Sequence, residues 1–124
     1  MIKVLIADDH PVVRRGLRQI LDETPDIMVG AEAGSAHEVL SHVREQSWTV
    51  VLLDISLPGG NGIDLIKDIK RERPEARVLI LTAHSEDQYA VRALRAGAAM
   101  AFKKSSSGIF AASHFGQTGQ SLLL

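Results

Sequence analysis

Residues 49–62 read Thr49-Val50-Val51-Leu52-Leu53-Asp54-Ile55-Ser56-Leu57-Pro58-Gly59-Gly60-Asn61-Gly62. An apolar, β-branched run ends in one acid, crosses a Pro/Gly loop and reaches an Asn that can cap a helix. A strand apolar on both faces must be covered above and below, which makes 49–54 a central strand of a parallel sheet. In the helix that follows, Leu65, Ile66 and Ile69 fall on one inward face, with Lys67, Lys70 and Arg71 toward solvent.

The same unit recurs on both sides. Upstream, Ile2 to Ala7 is a buried strand that ends in Asp8 and Asp9. His10-Pro11 follows, and Pro11 suits a first helical turn, where its missing N–H costs nothing. Val13, Leu17, Ile20 and Leu21 share one face of that helix, which Thr24-Pro25 stops. Ile27 to Ala33 forms the second strand. Ser35 and Glu38 form a capping box for a helix that turns Val39, Leu40 and Val43 inward. Downstream, Pro74 closes the helix after the central strand, and Val78 to Thr82 is the fourth strand. Ser85 with Gln88 is a second capping box. Its helix buries Ala90, Val91 and Leu94 and ends at Gly97, before a short fifth strand over 99–103.

Five βα units with short connections imply an α/β fold, and right-handed crossovers leave few topologies. The expectation is a doubly wound five-stranded parallel sheet in the flavodoxin-like order 2-1-3-4-5. The whole chain, 1–124, reads as a single domain. Residues 105–124 form an atypical C-terminal segment with a short last helix near Ile109 to Phe115.

Composition narrows the function. Net charge is −1, so no basic excess is available to hold a nucleic-acid backbone. Lys67, Lys70, Arg71 and Arg73 read as a solvated helix face. No apolar run approaches the ~20 residues that span a bilayer, so no membrane contact is expected. The N-terminus lacks a signal-peptide pattern, and a cytoplasmic location is the expectation. The chain has no cysteine, which excludes thiol catalysis and Cys-based zinc sites. Pro58 to Gly62 lacks the Gly-Lys-Ser/Thr ending of a nucleotide-binding loop. Trp48 reads as packing, His37, His42 and His114 as surface residues, and His10 mainly as a helix-start residue.

In open parallel sheets the site lies beyond the carboxyl ends of the strands. Asp8 and Asp9, Asp54, Thr82, and Lys103 with Lys104 all end strands there. Alone, a strand-terminal Asp is more often a helix cap and a lysine more often a surface residue. Their convergence outweighs both readings. Three nearby carboxylates repel one another, and a hard divalent cation relieves that repulsion. Mg²⁺ uses one or two carboxylates and shares its remaining positions with water and phosphate. A carboxylate can also act as the nucleophile that forms an aspartyl-phosphate, and Asp54 on the central strand is best placed for that role.

At these residues the sequence resembles the response-regulator receiver family, and within it the NarL/FixJ-like branch. The matching pieces are Ile-Ala-Asp8-Asp9-His10-Pro11, Leu-Leu-Asp54-Ile-Ser-Leu-Pro58-Gly-Gly-Asn-Gly62, Leu-Thr82-Ala83 and Leu-Arg-Ala-Gly97-Ala, across roughly residues 2 to 104. The resemblance implies that Asp54 is the phospho-acceptor of a two-component system. Asp8, Asp9, Asp54 and the backbone carbonyl of Ser56 would hold Mg²⁺, Thr82 would be the switch hydroxyl, and Lys104 would contact the phosphoryl group. It also implies a sensor histidine kinase as donor and leaves room for a homodimer. Only self-directed phosphotransfer and hydrolysis are implied, with no enzyme activity on other substrates. Ser56 and His84 stand where the family tunes dephosphorylation.

Two departures stand out. The family usually carries Tyr or Phe three residues before the lysine, and this chain has Ala101. Strand alternation turns Phe102 to the opposite face, so it is a poor substitute. The last helix is also weakly encoded, because Ser105-Ser106-Ser107-Gly108 precedes it and Gly116 to Gly119 interrupts it. Relatives of this branch normally continue into a helix-turn-helix domain, and none is encoded in these 124 residues. Two other functions share part of the pattern. One is a receiver-like interaction or dimerisation module with impaired switching. The other is a Mg²⁺-dependent aspartyl-phosphate phosphatase, which the lack of a second Asp at Ser56 and of a cap insertion disfavours.

Overall fold

A computed structural model describes residues 1–82, 87–104 and 110–113, with backbone only at 87, 88, 103, 104 and 110–113. The elements are β1 (Ile2–Ala7), α1 (Pro11–Asp22), β2 (Ile27–Ala33), α2 (Ala36–Glu45), β3 (Val50–Asp54), α3 (Gly62–Glu72), β4 (Arg77–Thr82), α4 (Asp87–Ala96), β5 (Met100–Lys104) and β6 (Phe110–Ser113). The first five strands are parallel in the order β2-β1-β3-β4-β5, as expected from the βα alternation. β6 then adds an antiparallel edge strand, with Ala101 opposite Ser113 and Lys104 opposite Phe110. The short helix expected over 109–115 is therefore not formed at 110–113. A β-ladder supplies backbone partners to a segment too rich in Ser and Gly for a stable helix.

The crossovers divide the helices unevenly. α2, α3 and α4 cover one face, where Val39, Val43, Ile66, Ile69 and Ala93 are fully buried against Leu5, Val51, Leu53, Val78 and Ile80. α1 lies on the other face, with Leu17 against Val4, Ile6 and Leu52. Ala101 belongs to the first cluster and Phe102 to the second, so the strand alternation expected at 101–102 holds. Ile20 departs from the expected inward face of α1 and is 57% exposed, at the lip of an apolar groove beside the helix.

Local chemistry sets the boundaries. Ser35 Oγ accepts from Glu38 N–H (3.2 Å), while Glu38 reaches back to accept from Gly34 N–H (2.7 Å). This is the anticipated capping box, with its return bond shifted by one residue. Asn61 Oδ1 caps α3 by accepting from Ile63 N–H at 2.8 Å. Gly97 sits at φ +121° beyond α4, and Ala98 N–H donates to Ala93 O, a Schellman-type stop. The capping box read at Ser85 lies outside the described residues. Lys70 does not simply face solvent, since its Nζ donates to the carbonyls of Pro74 and Ala76 (both 2.7 Å) and fastens the α3–β4 turn.

Trp48 is packing, as expected, at 2% exposure, and its indole N–H donates to His42 O at 2.9 Å. The His42 ring meets the indole edge-on at 6.3 Å, so His42 is half-buried rather than a plain surface residue. A Cβ at Gly30 would come within 2.8 Å of the same indole. Glycine is what lets β2 lie against Trp48.

Candidate functional site

The register of the sheet brings the acids together. Ala7 pairs with Leu53, so Asp8 and Asp54 are the next residues on adjacent parallel strands. Asp54 is opposite Leu81, and Thr82 is one step further on. Thr82 in turn pairs with Lys103, which leaves Lys104 at the end of β5. All the strand-terminal residues singled out from sequence therefore lie at one edge. Lys104 is placed there by its backbone, and its side chain lies outside the described residues.

Burial separates these groups. Asp8 is 0% exposed, Asp54 2% and Thr82 8%, while Asp9 is open to solvent. Buried carboxylates need partners. Asp8 Oδ1 accepts from the backbone N–H of His10 at 2.8 Å. Asp54 Oδ1 accepts from Ser56 N–H at 3.0 Å and from Ser56 Oγ–H at 2.8 Å. Each Asp thus folds the two residues after it into an Asx turn, and each carboxylate is held by the start of its own loop.

The loops bring a fourth group into the cluster. His10 is the N-cap residue of α1, and its ring also points into the acids. Its Nδ1 lies 2.8 Å from Asp8 Oδ1, 3.1 Å from Asp9 Oδ1 and 3.8 Å from Asp54 Oδ2. The helix-start reading of His10 is correct but incomplete. The missed signal was its position two residues after a strand-terminal Asp, where an Asx turn folds a side chain back. Arg14 also escaped the sequence reading. Its guanidinium donates to Asp8 O at 2.6 Å and pairs with Glu32 at 3.1 Å, with Arg18 on the same carboxylate. The spacing of Arg14 and Arg18 at i and i+4 was visible, but the placing of Glu32 on β2 beside them was not.

Ligand atoms of Asp8, Asp9, His10 and Asp54 all lie within 4.8 Å of one another. Three carboxylates at that spacing suit a hard divalent cation, which prefers oxygen donors and offsets their mutual repulsion. The residues present therefore fit a Mg²⁺-type ion.

Comparison with known proteins agrees with this geometry. The profile of the response regulator receiver domain matches residues 4–108. The DNA-binding transcriptional activator DevR/DosR of Mycobacterium tuberculosis is 44% identical over 98 residues, covering 79% of this chain and 45% of the relative. Response regulator UvrY of Escherichia coli is 36% identical over 99 residues, covering 80% and 45% respectively. The chain thus spans just under half the length of these relatives. A LuxR-family two-component response regulator from Aurantimonas superposes with a TM-score of 0.79 at 37% identity, covering 86% of this chain and 76% of that one. The isolated receiver domain of RcsB from Salmonella enterica, determined with the phosphomimetic BeF₃⁻, gives 0.78 at 30% identity, covering 83% and 77%. With the acids, threonine and strand order in register and the profile spanning most of its length, the chain belongs to the response regulator receiver domain family of two-component systems.

Proposed function

We propose that Asp54 accepts a phosphoryl group from a sensor histidine kinase and that this chain acts as a phospho-switched receiver. The observation that carries this reading is a carboxylate 2% exposed at the end of the central strand, within 4.8 Å of two further carboxylates. An oxygen of Asp54 attacks the phosphorus of the donor. The P–N bond to the kinase imidazole breaks as the P–O bond forms, and the leaving imidazole takes up a proton. Asp8, Asp9, Asp54 and the Ser56 carbonyl would hold Mg²⁺, which supplies charge compensation for the transferring group. The Ser56 contacts fix one oxygen of Asp54 and leave its position along the strand well defined. Thr82 donates its hydroxyl and Lys104 its ammonium to the phosphoryl oxygens. Turnover is confined to the chain's own phosphoryl group, which water later removes.

Loading alters contacts with a second copy or with an output partner. A cytoplasmic location belongs to this reading; among the described residues, no helix is long and apolar enough to cross a membrane. Incubation with Mg²⁺ and a small phosphodonor should add one acid-labile phosphoryl group by intact mass. Persistence of that addition in Asp54→Asn would end the assignment.

A second reading is favoured by one residue. Ala101 is 1% exposed and packed in the α2–α4 core, so no aromatic stands there to relay a movement of Thr82. A receiver that binds partners without a Thr–aromatic relay would take up beryllofluoride yet keep the same oligomeric state and spectra.

A further inference from the structure

The two faces of the sheet are covered unequally. Three helices pack on one face, while among the described residues α1 is the helix on the other. Beside α1, over β3, β4 and β5, runs an apolar groove of about 390 Å³. Leu17, Ile20 and Leu21 form one wall, and Leu52, Leu81 and Phe102 form the floor and far side. Ile20 is 57% exposed at its lip, and Val12, two turns earlier on the same flank, is 79% exposed. A Cβ at Gly16, between them, would meet nothing within 4 Å. A parallel sheet with a bare apolar strip is incomplete, because each face needs a cover. The groove presents almost no polar surface, so it suits apolar side chains rather than an oriented small molecule.

We propose that residues 114–124 of this same chain dock in the groove, with Leu122, Leu123 and Leu124 as the anchoring side chains. These residues lie outside the described ones, and three observations select them. First, β6 runs antiparallel to β5 and delivers Ser113 opposite Ala101, the neighbour of groove residue Phe102. The chain therefore leaves the sheet at the end where α1 presents Ile20 and Leu21. Second, the length suffices. Eleven residues extend up to about 36 Å, whereas β6 and β4 are two strand spacings apart, about 10 Å. Third, the chemistry matches. The segment carries Phe115 and three consecutive leucines around a polar spacer, and the described groove is lined by apolar side chains throughout. Tethering gives these leucines a high local concentration at the groove, which a second copy lacks in dilute solution. The proposal does not rest on the phosphoryl chemistry of Asp54.

The chain has no cysteine, so a nitroxide on Ser121→Cys labels one site of the full chain. The methyl signals of Leu17, Ile20, Leu79 and Leu81 should lose intensity and recover when the nitroxide is reduced. Those of Ile66 and Ile69, on the other face, should stay sharp. Ile20→Asp, at an exposed position outside the acidic site, should abolish the loss with circular dichroism unchanged. Unaffected groove methyls would overturn the proposal, as would losses that survive Ile20→Asp. Losses in isotope-labelled chain mixed with unlabelled nitroxide chain would assign the groove to a second copy and overturn it equally.

Discussion

Gly62→Ala tests whether the loop after Asp54 is held from behind by α3. Gly62 is the first residue of α3 and is buried. A Cβ there would lie 2.9 Å from Ile55 O, 3.4 Å from Ile55 Cα and 3.0 Å from the Tyr89 hydroxyl. Helix propensity alone would favour alanine by up to about 1 kcal/mol. Crowding a packed site costs about 1–3 kcal/mol. Tyr89 can swing aside, but Ile55 O is backbone, and Ile55 N–H is tied to Leu81 O at 3.2 Å. The crowding therefore wins, with a net loss of about 1–2 kcal/mol, or about 3–12 °C in melting temperature for a domain of this size. Urea titration followed by circular dichroism measures the loss. Because Ile55 sits between Asp54 and Ser56, phosphorylation by a small donor should slow as well. Adding Tyr89→Phe should restore little of either. A Gly62→Ala protein as stable as the parent would refute the reasoning, and full rescue by Tyr89→Phe would place the clash on the hydroxyl instead of the backbone.

Three further outcomes follow from the packing and the charges. Ile66→Ala empties a fully buried position between α3 and the sheet and should cost about 2–5 kcal/mol in urea; a loss well under 1 kcal/mol would contradict the described core. Mg²⁺ at a hundredfold its dissociation constant should stabilise the chain by about 2.7 kcal/mol in thermal melts, and Asp8→Asn or Asp9→Ala should remove most of that gain. Asp54→Asn without metal should raise stability by about 1 kcal/mol in urea titration, from relieved repulsion with Asp8 and Asp9; the amide oxygen can keep the Ser56 bonds, so a fall would show that the carboxylate cluster is not strained.

The central part of the fold was legible because two periodicities alternate cleanly. The apolar run 50–54 and the inward stripe Leu65, Ile66 and Ile69 admit few arrangements, and the observed register places Asp8 beside Asp54 as the motif order required. Thr82 was legible for the same reason. Side-chain turns within the loops were not, because an Asx turn depends on local backbone angles rather than on pattern. His10 pointing into the acids and Ser56 holding Asp54 are the two results. Ile20 was misread because helical spacing gives the face of α1 but not which flank of that face lies against the sheet. At 110–113 the weak helix signal lost to pairing with the open edge of β5, a non-local interaction that no short window contains.

The central claim is that the phosphoryl group resides on Asp54 and not on the neighbouring acids. Phosphorylated chain can be reduced with borotritide, digested and sequenced, which converts an acyl phosphate into a stable labelled residue at its own position. The label should fall on Asp54 alone and require Mg²⁺. Label on Asp8 or Asp9, or incorporation that is indifferent to Mg²⁺, would contradict the account.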